Sequence, residues 1–231
     1  MAKQLGNAFP AGQARGVDSP CKRDSRKPED ARQFWEDRYS SAERVWSGRV
    51  NPRLAEVAAE LPAGRALDLG CGEGADALWL AERCWQVVAV DVSATALHRA
   101  AEAAAGRNLM ERISFQQHDL NESFPDGMFD LVSAQYLHSP TYLERDAVLR
   151  LAADRVNPGG VLLIVDHGGP PPWAQHDGHR FAGIEEVLAS LGLDTSRWTR
   201  VRAQTAEREM VGPNGEVGNV VDHVMVLRRA E

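Results

Sequence analysis

The sequence predicts an α/β domain with a doubly wound, mostly parallel sheet that ends in an antiparallel strand. Between residues 65 and 166, strand-like apolar runs alternate with helix-like segments, which is typical of right-handed βαβ units. The runs ALDL, VVAV and VLLIV are almost wholly apolar, as expected for strands that are covered on both faces. Further along the chain, Asn214-Gly215 separates two more strand-like segments and predicts a hairpin.

The chain divides into a short arm and one domain. Residues 1–28 are rich in Gly, Pro, Ser and charge and carry no periodic apolar pattern, so we predict a flexible arm there. Residues 29–231 are predicted to form a single domain. Its first part, residues 29–64, is predicted to be a helical extension in front of the sheet.

Two helices are predicted in this extension. In PEDARQFWEDRYSS, acidic residues fill the first turn and suit the helix dipole, and Phe34, Trp35 and Tyr39 can share one side. In NPRLAEVAAELPAG, Asn51 suits the N-cap and Pro52 suits the first helical position. The Pro-Ala-Gly that follows predicts the end of this second helix.

The remaining elements are predicted from apolar periodicity and from turn signals. Strands are expected at about 65–70, 86–91, 112–118, 129–134, 160–166, 198–208 and 219–228. Helices are expected at about 75–84, 94–105, 142–156 and 182–191.

Composition limits the partners and the compartment. The net charge of −7 gives no electrostatic reason to expect duplex nucleic acid. No apolar segment approaches the roughly 20 residues that span a bilayer, and the N-terminus lacks the apolar region of a secretory signal. Cys21, Cys71 and Cys84 are too unevenly spaced for a disulfide framework or a zinc knuckle. We therefore expect a cytoplasmic protein without a nucleic-acid or membrane partner.

The segment LDLGCGEGA predicts a binding site for an adenosine-containing ligand. Gly70, Gly72 and Gly74 lie between a buried strand and a helix, where a chain without Cβ atoms can turn sharply and touch a ligand with its backbone. Asp91 ends the next strand. A carboxylate at that position can accept hydrogen bonds from both hydroxyls of a ribose.

The glycines alone do not identify the ligand, because GCGEGA also satisfies the dinucleotide pattern GxGxxA. Asp68, two residues before Gly70, suits a ligand that carries an ammonium group and a sulfonium, and would lie poorly beside a pyrophosphate. Glu73 adds negative charge inside the turn. An antiparallel hairpin at the end of the sheet is also unusual for a dinucleotide-binding domain. These features favour S-adenosylmethionine over a nicotinamide dinucleotide.

Five segments resemble the successive motifs of class I S-adenosylmethionine-dependent methyltransferases over about Arg65 to His167. They are DLGCGEG, VVAVD, QQHDL, FDLVSAQYLH and NPGGVLLIVDH. Upstream, WEDRYSSAERVWSGRVNPRL resembles small-molecule members near the tellurite-resistance and thiopurine methyltransferase group. The resemblance implies a Rossmann-like fold and S-adenosylmethionine as methyl donor. It also implies in-line methyl transfer to a small-molecule nucleophile, by a monomer or homodimer.

The resemblance further implies which residues hold the methionine part of the donor. Asp68 and the backbone of Gly70, Cys71 and Gly72 would bind it directly, and Gln135 would lie nearby. Cys71 itself has no base beside it in the sequence and is a poor candidate for a nucleophile.

Four residues are implied at the adenosine end of the donor. Asp91 would take the ribose hydroxyls, and Val92 would pack on the adenine. Asp119 would accept a hydrogen bond from the adenine amino group, and Leu120 would cover the other face of the ring. A different interpretation of Asp119 stays open, since it could simply cap the turn that follows.

Two pairs of residues complete the predicted site. Tyr39 and Trp46 could close the pocket from the helical extension. Packing without ligand contact would explain Trp46 equally well, and for Tyr39 packing in the core is the favoured alternative. His138 and Tyr136 follow the fourth strand, beside the expected point of methyl transfer. His138 is the candidate general base, and Tyr136 is a candidate wall for the acceptor.

Other chemistry is not favoured. His167, His176 and His179 could suit a metal, but the last two lie in a Pro-rich loop and the resemblance needs no metal, so none is predicted. Arg202 and Arg208 could receive an anion, but neighbouring glutamates reduce the local positive charge. A thiopurine or tellurite substrate is therefore not favoured. A non-catalytic S-adenosylmethionine-binding protein and a nicotinamide-dependent oxidoreductase remain as alternatives.

Overall fold

Seven strands pair into one sheet in this computed structural model, which describes residues 28–174, 180–212 and 214–231. The strands are β1 Arg65–Leu69, β2 Gln86–Asp91, β3 Ile113–Gln117, β4 Phe129–Gln135, β5 Val156–His167, β6 Trp198–Val211 and β7 Val217–Arg229. The helices are α1 Pro28–Ser40, α2 Pro52–Ala58, α3 Ala75–Glu82, α4 Ala94–Ala105, α5 Arg145–Asp154 and α6 Ile184–Leu191. The predicted arm lies outside the described residues except for Pro28, where α1 begins.

The strand order is β3-β2-β1-β4-β5-β7-β6. Strands β1 to β5 pair in parallel, whereas β7 is antiparallel to both β5 and β6. The predicted fold class and the predicted antiparallel final strand are therefore confirmed. The order of the strands reverses between β1 and β4, and in open α/β sheets ligands bind at the carboxyl ends of the strands beside such a reversal.

Apolar side chains cover both faces of the sheet. One cluster joins the sheet to α2, α3 and α4 and includes Leu54, Leu80 and Leu163. The other joins it to α5 and α6 and includes Leu149 and Leu162. Leu162 and Leu163 are neighbours in β5 and belong to opposite clusters, as expected for a central strand that is buried on both sides.

The start of α2 follows the predicted capping. The Asn51 side chain accepts a hydrogen bond from the backbone amide of Arg53 at 2.9 Å, so one of the amides left free at the helix start is satisfied. None of the helices in the described ranges is long and apolar enough to cross a membrane.

The largest difference from the predicted elements lies around Asn-Pro-Gly-Gly. Strand β5 was expected from residue 160 and begins at Val156, and α5 is shorter than the predicted 142–156. Val156 pairs with Phe129, and the register then shifts before Leu131 pairs with Val161. This irregularity accommodates the Pro-Gly-Gly segment within the strand, between the predicted end of the helix at 156 and the predicted start of the strand at 160.

Candidate active site

The turn after β1 needs glycine for two reasons. Gly70, Gly72 and Gly74 have φ values of +69°, +53° and +80°, a region that side chains with a Cβ rarely adopt. A Cβ on Gly72 would also lie 3.0 Å from the hydroxyl of Tyr39, and one on Gly74 would lie 2.7 Å from the Cβ of Ala100. The turn is therefore a fixed cradle, closely covered by its neighbours.

Asp91 holds this cradle to the end of β2. Its carboxylate accepts from the backbone amides of Gly72 at 2.9 Å and Ser93 at 3.0 Å. Burial raises the pKa of Asp91, and the hydrogen bonds from Ser93 and Gly72 oppose that rise. The sequence placed Asp91 beside the glycine turn, and the structure brings the two into direct contact.

Asp68 is buried with an unused oxygen. It is 2% exposed, and its Oδ2 has no hydrogen-bond partner. Burial raises the pKa of its carboxyl, and the nearby Asp76 and Asp91 raise it further. Buried acceptors are nearly always satisfied in proteins, so this oxygen is suited to a donor that arrives with a ligand.

Gln135 presents a second unused acceptor nearby. Its Nε2 donates to Ser133 at 2.8 Å, while its buried Oε1 has no partner. Ser133 pairs with Asp68 across β4 and β1, so the two unused oxygens lie at the carboxyl ends of adjacent strands. A carboxylate and an amide oxygen fit an ammonium group, which has several N–H donors and a positive charge. The site therefore fits the amino-acid part of S-adenosylmethionine.

The helical extension covers the glycine turn. Tyr39 is buried, and its hydroxyl accepts from the indole N–H of Trp46 at 2.8 Å. Both side chains lie against Gly72. Burial, and after it the charge of Asp91, raises the pKa of Tyr39. The structure thus brings Tyr39 and Trp46 to the predicted place, and their contact with a ligand stays a prediction.

Glu73 has a different use from the one expected. Its carboxylate accepts from the backbone amides of Val45 at 3.1 Å and Trp46 at 3.0 Å, and it forms an ion pair with Arg99 at 3.0 Å. Because Arg99 compensates its charge, Glu73 does not supply the free negative charge that was expected to exclude a pyrophosphate. It instead fastens the helical extension to the turn.

Cys71 lies in the turn as a buried thiol. Burial raises its pKa, and the charges of Asp91 and Asp68 raise it further. A protonated thiol is a weak nucleophile, in agreement with the role expected for Cys71, which involves its backbone only.

The residues expected at the adenine lie beyond β2 and β3. Val92 and Leu120 are half-buried, and Asp119 is buried. The Oδ1 of Asp119 accepts from the backbone amide of Asn121 at 3.0 Å, which is the turn cap that the sequence left open as an alternative. Its second oxygen is left for an adenine amino group, and that contact stays a prediction.

On the other side of the reversal, Tyr136 is held rigidly. It has a positive φ of +49°, an uncommon conformation for an aromatic residue that often marks a functional site. Its hydroxyl donates to Asp222 at 2.7 Å and accepts from Arg208 at 3.2 Å, and its ring stacks on His167 at 4.3 Å. Burial, and then the charge of Asp222, raises the pKa of Tyr136. Because the phenol proton is committed to Asp222, this geometry favours Tyr136 as a wall.

Asp222 was missed in the sequence analysis. It has no exposed surface, and besides Tyr136 it accepts from Arg53 Nε at 3.2 Å and from Arg208 Nε at 3.0 Å. The carboxylate thereby joins α2, β6, β7 and the loop after β4. The available signal was a single charge inside the apolar run of β7, but its partner Arg53 lies 169 residues away in the sequence.

The histidines lie beside this network. His138 follows Tyr136 closely, and its Nε2 lies 3.2 Å from Oδ1 of Asp166. Burial, and after it the charge of His138, lowers the pKa of His167 to about 4, so His167 is neutral near pH 7. His176 and His179 lie outside the described residues. Within the described ranges, no group of three or more His, Cys, Asp or Glu side chains could hold a metal ion.

Comparison with known proteins agrees with this geometry. Residues 66–160 match a family described as a methyltransferase domain. Thiocyanate methyltransferase 1 of Arabidopsis thaliana is 32% identical over 168 residues, which cover 69% of this chain and 72% of that protein.

Two solved structures share the fold. TehB from Haemophilus influenzae superposes with a TM-score of 0.62 at 22% identity, over 85% of this chain and 67% of that one. The N-methyltransferase NodS from Bradyrhizobium japonicum, solved with S-adenosyl-L-homocysteine, gives a TM-score of 0.60 at 22% identity, over 87% of this chain and 100% of that one. With the matches in sequence and the carboxylate-lined glycine turn, they identify this chain as a member of the class I S-adenosylmethionine-dependent methyltransferases.

Proposed function

We propose that this methyltransferase binds S-adenosylmethionine at the carboxyl ends of β1 and β2, and a small-molecule acceptor beside the ends of β4 and β5. The observation that carries the proposal is the pair of unused buried oxygens on Asp68 and Gln135. An ammonium group bound at the carboxyl ends of β1 and β4 would satisfy both oxygens, next to a glycine turn whose backbone can approach the rest of the donor.

Each donor-site residue then has a distinct task. Asp68, Gln135 and the backbone of Gly70 to Gly72 would hold the methionine part. Asp91 would orient the ribose, since a carboxylate accepts from both hydroxyls of a diol.

The adenine and the cover of the pocket complete the donor site. Val92 and Leu120 would enclose the adenine, and Asp119 would bind its amino group. Tyr39 and Trp46 would cover the donor from the helical extension, where they already lie against the glycine turn.

The donor supplies an activated methyl group, and the protein must mainly align it with the acceptor. Orientation of that kind can supply about 7–11 kcal/mol of barrier reduction. Leu137 packs against Gly70, so the loop that carries Tyr136 and His138 lies directly against the donor turn. An acceptor held on the stacked rings of Tyr136 and His167 would therefore be next to the methyl group.

We propose a small molecule as acceptor and the cytoplasm as the compartment. The net charge of −7 argues against a phosphate backbone as ligand. The Arabidopsis relative is named for thiocyanate, which is a small molecule. The exposed thiol of Cys84 is unpaired, as expected in a reducing compartment. A monomer or homodimer is proposed for the assembly.

The first experiment is thermal denaturation with S-adenosylmethionine, S-adenosylhomocysteine or NAD. A ligand at 100 times its Kd stabilises the folded state by about 2.7 kcal/mol, so both sulfur ligands should raise the Tm of the wild type. Asp91→Ala should abolish that rise, because the ribose loses its acceptor. Asp126→Ala, an exposed position, serves as the matched control. Stabilisation by NAD alone would contradict the proposed donor site.

A further inference from the structure

The structure pairs His138 with a buried carboxylate that also forms an ion pair with Arg145. Its Nε2 is screened from solvent and lies 3.2 Å from Oδ1 of Asp166, an ion-pair distance, although the N–H does not point straight at the oxygen. Asp166 is 2% exposed. Burial alone would raise the pKa of Asp166, but its interactions with His138 and Arg145 outweigh it and lower that pKa. Asp166 is thus an ionised partner for the imidazole.

Arg145 braces both members of this pair. Its Nη2 donates to the two oxygens of Asp166 at 2.5 and 2.7 Å, and its Nε donates to the backbone carbonyl of Leu137 at 3.0 Å. Leu137 immediately precedes His138 and also contacts the glycine turn. One guanidinium therefore fixes the carboxylate and the backbone that carries the imidazole.

The charge of Asp166 determines which nitrogen of the neutral His138 ring carries the proton. A proton on Nε2 is stabilised by the carboxylate of Asp166, so the neutral ring has its unprotonated nitrogen at Nδ1. No group in the described part of the chain hydrogen-bonds to Nδ1. The side chain is 33% exposed, so a proton that Nδ1 accepts can later leave to solvent.

The arginines near this pair are already engaged. They form ion pairs within 3.5 Å as follows: Arg145 with Asp166, Arg208 with Asp222, Arg53 with Asp222 and Glu56, and Arg202 with Glu56. Only Arg145 has a carboxylate to itself, whereas Arg53, Arg202 and Arg208 share Asp222 and Glu56. The guanidinium beside His138 is therefore compensated and does not offer a free charge to an anionic acceptor. The neutral ring of His167, stacked on Tyr136, is a suitable surface for an uncharged, planar molecule.

We propose that His138 is the general base for a neutral acceptor with an O–H nucleophile on a planar ring, and that Asp166 and Arg145 are its positioning residues. In the reaction, the acceptor oxygen forms a bond to the methyl carbon as the carbon–sulfur bond breaks. The bonding pair stays on sulfur, which becomes a neutral thioether. The proton of the hydroxyl passes to Nδ1 of His138. The Arabidopsis relative is named for thiocyanate, an ion that has no such proton to lose.

This inference rests on the proposed function, and its test separates the two. Binding of S-adenosylmethionine to the wild type, His138→Gln and Asp166→Asn is first measured by calorimetry. We expect all three to bind with similar affinity, because neither residue belongs to the donor site. No binding to the wild type would overturn the proposed function itself.

Methyl transfer from labelled donor is then measured with phenols as neutral O–H probes and with thiocyanate as an anionic probe. We expect the phenols to be methylated, with a loss of about 10²–10⁴-fold in kcat for His138→Gln and a smaller loss for Asp166→Asn. His98→Gln, which is exposed on α4, should behave like the wild type. Methylation of thiocyanate but not of phenols would overturn the inference, as would a change of less than about twofold in His138→Gln.

The tautomer of His138 gives a measurement that needs no acceptor. Nitrogen NMR of the neutral ring should show the proton on Nε2 in the wild type, and a weaker preference in Asp166→Asn. A proton on Nδ1 in the wild type would overturn the inference even if none of the probes is methylated, because the nitrogen facing Asp166 would then be the unprotonated one.

Discussion

Two buried carboxylates lie on opposite sides of the point where the strand order reverses, and they differ in their hydrogen-bond partners. Asp68, on the donor side, has an oxygen without any partner. Asp222, on the acceptor side, accepts from Tyr136, Arg53 and Arg208. Because leaving a buried charge unpaired is costly, the first arrangement is typical of a site that a cation completes. The second belongs to the framework, and burial alone would not have distinguished them.

Replacing Asp68 with asparagine removes the carboxylate that has an unused oxygen. Among these predictions it should have the largest effect, which is a loss of affinity for S-adenosylmethionine. Losing one partner of a buried charge pair costs about 2–5 kcal/mol, or roughly 30- to 4,000-fold in the Kd of S-adenosylmethionine. The ligand-free protein should become as stable or more stable, because Asp76 and Asp91 lose a repelling neighbour. Calorimetry and thermal denaturation measure the two effects.

Asp126→Asn is the matched control for this substitution, since residue 126 is exposed. Retained donor affinity in Asp68→Asn would show that the unused oxygen does not receive the ammonium group.

A change of pH should test the buried carboxylates around Asp68 without a substitution. Burial raises the pKa of Asp76 to about 6 from an ordinary value of 3.8, so the folded state holds this proton more tightly than the unfolded state does. The free energy of unfolding of the ligand-free protein should therefore fall as the pH rises between these values. A cationic donor favours the charged carboxylates, so its affinity should be about tenfold weaker near pH 5 than near pH 7.5.

Calorimetry in two buffers of different ionisation enthalpy checks this pH effect, because binding should release a proton near pH 6. The Asp76→Asn variant should have a weaker pH dependence, and the part that remains should come from Asp68, whose pKa burial also raises. An affinity that stays constant over the range would contradict a titrating carboxylate at the donor site.

The smallest effect is expected for a substitution beside Asp222, whose carboxylate already has three hydrogen-bond donors. Tyr136→Phe removes one of three donors to Asp222 and should lower the free energy of unfolding by about 0.5–1.5 kcal/mol. Donor affinity should not change, since the two arginines still hold Asp222 and the ring remains. Chemical denaturation measures the stability. A loss of donor affinity larger than about tenfold would mean that the two sides are coupled.

The proximity of Asp68, the glycine turn and Asp91 was easier to predict from the sequence than the contacts of Asp166 and Asp222, for a physical reason. Asp68, the glycines and Asp91 belong to one continuous βαβ unit, so their spacing in the chain fixes their proximity in space. Strands β1 and β2 were accordingly predicted to within one residue.

The acceptor side depends on contacts between distant segments, which spacing does not reveal. Asp166 reaches His138 and Arg145 only because β4 and β5 pair in a particular register. Glu73 is similar, since its partner Arg99 lies in α4 and its other partners lie in the extension. In both cases the residue type was recognised as charged, but its role required the fold.

The contact between Arg53 and Asp222 also bears on how the chain is made. Ribosomes deliver the N-terminal part first, and folding begins before synthesis ends. The guanidinium of Arg53 precedes its carboxylate by 169 residues, so the chain must be synthesised through β7 before the two can meet. Helix α2 therefore gains this anchor only after β7 has been synthesised, although its apolar side chains can pack on the earlier strands before then. A nascent chain truncated before β7 would lack the anchor of this helix.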